Sequence, residues 1–168
     1  MSTPIWALAG AFWLHMIATV LWIGGLTVFS LVVLPSAKKT LDNSVYTQFL
    51  GDCQRRLDPI GWLSIVVLAA SGMLQMSANP YYDGFLSLTG LWSGVILIKH
   101  IFFGGMVVLS GYITWKLIPA LRRVEMLHAL GKDGPDAALF QKRLLYASRA
   151  NLILGIVVLL LTSIARAA

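Results

Sequence analysis

Four long stretches of this sequence are almost free of Asp, Glu, Lys and Arg, and no other feature restricts the fold as much. A bilayer core of roughly 30 Å takes about 20 mostly apolar residues in a helix. Stretches at residues 5–34, 59–77, 91–118 and 144–165 meet that requirement; Lys99 interrupts the third, and Arg149 stands near the start of the fourth. Only 12% of the chain is charged and 58% is hydrophobic, where a soluble domain carries about 25% charged residues. This excludes an ordinary water-soluble globule. The expected fold is all-α, an integral membrane four-helix bundle forming a single domain over 1–168. Pro35, Pro59 and Pro119 are expected at span ends. The first stretch is too long for a signal-peptide core and has no basic n-region, so it is expected to stay as a span.

The net charge of +6 could suggest a nucleic-acid partner, but the placement of the charges points to a lipid bilayer. Lys38, Lys39, Arg55 and Arg56 lie between spans one and two, and Lys116, Arg122, Arg123, Lys132, Lys142 and Arg143 between three and four. The N-terminal tail and residues 78–90 hold no Lys or Arg, and the C-terminal tail only Arg166. Basic residues are retained on the cytoplasmic side, so both termini are expected outside it. Between the first two spans, Val45, Phe49, Cys53 and Leu57 recur every four residues and predict a short helix lying on the membrane surface. Residues 120–130 predict another, stopped by a turn at 131–135, with His128 as a solvated side chain. Trp6, Trp62, Trp92, Tyr81 and Tyr82 fall at span boundaries as interfacial anchors, and Trp13 and Trp22 lie deeper. The lone cysteine, Cys53, excludes an internal disulfide, and no CxxC motif or internal repeat is evident.

Ionisable side chains inside a span cost at least about 2.5 kcal/mol on insertion scales, so each is a functional candidate. There are four: His15, Lys99, His100 and Arg149. Spans one and three run parallel, with His15 ten residues past Ile5 and His100 nine past Leu91, so both histidines fall roughly 15 Å from the outer boundary. Two imidazoles at one level suit copper, or the axial positions of haem b in an electron-transfer subunit. Alternatively, each histidine hydrogen-bonds a neighbouring helix and fixes packing. Trp22 lies on the His15 face with Ala18, Gly25 and Phe29; Gly104, Val107 and Gly111 continue the His100 face. No carboxylate lies in any span, so Lys99 either meets an anion, such as a haem propionate, or snorkels to the boundary, as Arg149 is expected to do. Met73 and Met76, at i, i+3, are candidate soft ligands for copper entering from outside, or simply gap-fillers.

Leu14-His15 followed by Trp22-Ile23-Gly24-Gly25, the run Ala70-Ser71-Gly72, the stretch from Gly94 to Lys99, Leu117-Ile118-Pro119 and Arg149 resemble the copper-resistance D (CopD) family of bacterial inner-membrane proteins. The likeness covers nearly the whole chain. It implies a multi-pass inner-membrane protein that handles copper, more a binding or transport protein than an enzyme by itself; the residues offer His15, His100, Met73 and Met76 as the metal site. A glutamate often found near the start of that family's last span is here Ala150 or Asn151. A second likeness, carried by His15, Lys99 and Ser110-Gly111-Tyr112, is to the HemJ-type protoporphyrinogen oxidases. It implies haem, and the residues that would lie around such a cofactor are His15, His100, Lys99 and Trp22. A homo-oligomer, or a structural place in a larger membrane complex, is a further expectation.

Overall fold

A computed structural model describes residues 4–80, 82, 84, 90–130 and 136–167, and these contain helices and no strand. The turn at 131–135, Tyr81 and the His128 side chain lie outside the described residues. The helices are α1 (Ile5–Val28), α2 (Leu34–Thr40), α3 (Asn43–Ser77), α4 (Leu91–Tyr112), α5 (Ile118–Ala129) and α6 (Ala137–Ala167). Single π-helical turns, Phe29–Val33 and Ile113–Leu117, join α1 to α2 and α4 to α5 without a break. Four rods result, each long and apolar enough to cross a membrane, so the protein is a multi-pass membrane protein.

The prolines do not end the helices. A proline inside a helix lacks an N–H and its ring crowds the carbonyl four residues earlier. Ahead of Pro35 and Pro119 the chain absorbs this by widening one turn: the N–H of Leu34 bonds the carbonyl of Phe29, and that of Ile118 bonds Ile113, five residues back in each case. Pro59 sits inside the 35-residue α3. The segment around Cys53 is therefore not a separate surface helix but the start of α3. Its inward stripe is Tyr46, Leu50, Cys53 and Leu57, whereas Val45 and Phe49 are exposed. A strict every-four spacing drifts around a 3.6-residue helix, while the alternating four-three spacing stays on one side. Residues 120–130 likewise continue the third rod instead of forming a separate helix.

At 1.5 Å per residue even the 31-residue α6 exceeds the hydrocarbon thickness. The surplus lies at the end carrying the basic connections. There a core of Phe29, Leu34, Tyr46, Leu50, Ile113, Leu121 and Leu144 packs as in a soluble bundle. A second core, Ala18, Trp22, Ile65, Leu68, Met106 and Val158, lies nearer the termini, with Trp22 edge-on to Phe103 at 5.7 Å. Trp62, expected as a boundary anchor, stacks on Trp115 at 5.0 Å. Trp13 faces outward, and of the expected deep pair only Trp22 is buried.

α1 packs chiefly on α3, and α4 chiefly on α6. The two pairs are structural repeats. One constant shift in numbering carries Val28 onto Tyr112, the turn Phe29–Val33 onto Ile113–Leu117 and Leu34 onto Ile118. A second carries the start of α3, Asn43, onto that of α6, Ala137, and the fully buried Leu50 onto Leu144. Under these shifts Trp22 corresponds to Met106 and Gly61 to Gly155. The contacts follow: a Cβ on Gly61 would meet Trp22, and one on Gly155 would meet Met106. Thr47 corresponds to Gln141, and those two bond each other at 3.3 Å, joining α3 to α6. No repeat shows in the sequence because the corresponding positions carry different side chains.

Candidate functional site

His15 lies on the stripe of α1 that continues through Ala18, Trp22 and Phe29, all buried. Its ring sits beside Gly72 of α3, where a Cβ would be 3.5 Å from Cε1. The tautomer follows from the hydrogen bonds. Ser71 Oγ donates its only proton to the Val67 carbonyl at 2.5 Å, so at 2.9 Å from His15 Nδ1 it accepts. Nδ1 therefore carries the proton and Nε2 the lone pair. This relay orients the ring as outer-shell partners orient metal-binding histidines. Gln75 Nε2 ties the same two helices one turn further out, donating to the Ala11 carbonyl at 3.2 Å.

His100 Nδ1 donates to the Ile96 carbonyl of its own helix at 2.7 Å, which also puts the neutral ring's lone pair on Nε2. The repeat, however, equates His15 with Lys99. Lys99 lies on the stripe of α4 that runs through Phe102, Phe103, Met106, Ser110 and Ile113 toward the bundle interior. It makes no hydrogen bond or ion pair with a described residue. Arg166, counted in the sequence only as a tail charge, packs its guanidinium on the Phe12 ring at 4.5 Å. Both Lys99 and Arg166 act electrostatically on His15. Three helices thus bring one oriented imidazole and two cations to the end of the bundle that carries the termini.

The methionines divide. Met76 is buried one turn beyond Gly72, on the side of α3 that receives His15, while Met73 is exposed on the outer surface. Arg149 is exposed near the basic end. Groups of three or more His, Cys, Asp or Glu that could hold a metal do not occur among the described residues. Ser71 and Arg166 are the site residues that sequence reasoning missed; Ser71 stood in a quoted motif, but nothing in that motif marks it as an acceptor.

The sequence pattern of the copper resistance protein D family matches residues 52–165, from the lower part of α3 to the end of α6. The chain belongs to that family. The match includes Ser71, Gly72, Met76, Lys99 and His100, and leaves α1 with His15 outside it. No curated protein and no solved structure matches the chain.

Proposed function

We propose that this protein handles copper within the membrane, in keeping with the copper resistance for which its family is named, and that Cu(I) is held at His15. The observation that carries this reading is the relay from His15 through Ser71 to Val67, which turns the Nε2 lone pair into an oriented donor. Met76 supplies a soft thioether from the next turn of α3, a donor that suits Cu(I). His100, whose ring is set by Ile96, is the second imidazole of the pair. Copper is the cargo here, and Lys99 and Arg166 oppose its charge from the other repeat. That arrangement favours a site that passes the ion on over one that stores it. The basic end faces the cytoplasm of a bacterial inner membrane, by the retention of Lys and Arg on that side.

Haem b fits these residues less well. A macrocycle between α1 and α4 would need the space below His15, where Trp22 already packs on Phe103. Purified protein is titrated with Cu(I) under reducing conditions against a chelator, beside His15→Ala, Met76→Leu and His100→Ala. The expected result is one Cu(I) per chain, lost in His15→Ala and weakened in the other two. Wild-type affinity in His15→Ala removes the reading. A reduced-minus-oxidised haem spectrum that disappears in His15→Ala replaces copper with haem.

A further inference from the structure

A second polar constellation lies near the basic end, away from His15. A cavity there is walled mainly by apolar side chains, among them Trp22, Phe29, Trp62 and Ile113, and its polar lining is Gln54, Asp58, Ser110, Thr114, Ser148 and Asn151. About 70 Å³ is open to the centres of water-sized groups, where one water needs about 10–15 Å³. The cavity therefore has room for an ion with part of its hydration shell.

Two features of its polar groups call for a ligand. Asp58 accepts from Gln54 Nε2 at 2.5 Å and from Thr114 Oγ1 at 3.0 Å, both on Oδ1. Both donors are neutral, and Asp58 forms no ion pair with a described residue. Asn151 is completely buried, and its amide nitrogen donates to Ser110 Oγ at 2.9 Å, so its Oδ1 is left without a partner. An unsatisfied buried carbonyl costs about 1–3 kcal/mol unless something binds there. Ser110 and Thr114 are one turn apart on the rod formed by α4 and its π turn, so they bring the Asn151 carbonyl and the Asp58 carboxylate to neighbouring levels of one cavity.

We propose that this cavity binds a monovalent alkali cation, Na⁺ or K⁺, between the Asp58 carboxylate and the side-chain carbonyl of Asn151. The available donors are all oxygens, which suit hard cations and not Cu(I). A single carboxylate matches a single positive charge, whereas Ca²⁺ sites gather several anionic ligands. Access runs through the groove between α3 and α5, because Asp58, Trp62 and Thr114 line that groove as well as the cavity. Arg55 and Arg122 flank the groove, and the Arg122 guanidinium is turned to the Gly51 carbonyl at 3.0 Å. The inference does not depend on the copper site.

The test uses chelator-treated, full-length protein in detergent, with its thermal midpoint measured in NaCl, KCl and choline chloride at equal ionic strength. At saturating Na⁺ or K⁺ the expected gain over choline is about 5 °C. Binding of ²²Na⁺, with K⁺ as competitor, gives the direct count. Asp58→Asn abolishes both effects, and Thr114→Val, which leaves the carboxylate in place, weakens them. Equal midpoints in the three salts with no bound ²²Na⁺ overturn the proposal. So does a cation effect that persists in Asp58→Asn. If Asp58→Asn instead raises the midpoint equally in every salt, the Asp58 side chain destabilises the fold whatever cation is present and the cation site is refuted. Copper titration of the same variants stays as in wild type, so the two readings fail separately.

Discussion

The two structural repeats share a backbone and differ in charge at equivalent positions. In the first, His15 of α1 meets Ser71 and Gly72 of α3; in the second, the corresponding positions are Lys99 of α4 and Ala165 and Arg166 of α6. One half offers an oriented neutral donor and the other offers two positive charges. A duplicated frame of helices thus need not duplicate a site. Glycine at 72 leaves room for the imidazole, whereas the equivalent position carries the long Arg166, which leans away onto Phe12. On the proposed copper reading, the donor half is where the ion would rest, under repulsion from its twin.

Substituting one half's residues for the other's breaks that comparison most severely. His15→Lys gives both repeats an ammonium and is expected to abolish Cu(I) binding, measured by chelator competition. Next, Gly155→Val is expected to destabilise the fold by about 2 kcal/mol, because its Cβ would stand 3.2 Å from Met106 Cε. Gly61→Val, with 3.8 Å to Trp22, is expected to lower the thermal midpoint less. Equal losses would show that the two interfaces are packed alike after all. Ser71→Ala removes the acceptor that orients His15 and is expected to weaken Cu(I) binding about tenfold. Smallest is Lys99→Met, which removes one opposing charge and is expected to tighten Cu(I) binding about fivefold, on the order of 1 kcal/mol at an effective dielectric near that of a protein surface. A weakening in Lys99→Met would mean that the ammonium helps to hold the site together.

Much of the architecture could be read from residues alone. Runs lacking charged residues mark all four rods, and the stripe His15, Ala18, Trp22 and Phe29 was correctly drawn as one face, with Ala18, Trp22 and Phe29 buried. The errors cluster at prolines and at the basic end. Pro35 and Pro119 read as stops because proline costs about 3 kcal/mol in an isolated helix, yet a wider turn before each lets the rod run on. The sequence set His15 beside His100 by depth, and the helix numbering adds that Lys99 takes the position equivalent to His15. Asp58, at the edge of a span, carried no signal, and Asn151, inside an apolar run, stood out only as a place where the resembled family often has glutamate.

By itself, then, the sequence determined that the chain is helical, crosses a membrane four times and carries most of its basic residues at one end. Long apolar runs suffice for that, because every backbone N–H and C=O inside lipid must be bonded within its own helix. Only the tertiary structure decided which side of each rod faces its neighbours, that the four rods form two repeats, and which polar atoms share a cavity. A helix in lipid is apolar on its outer face as well as its inner one, so the hydrophobic periodicity that marks the buried side of a soluble helix is nearly absent here. The inward faces are set by small residues and a few polar pairs, such as Gly61 under Trp22, Gly155 under Met106 and Asn151 on Ser110, whose partners are far away in sequence.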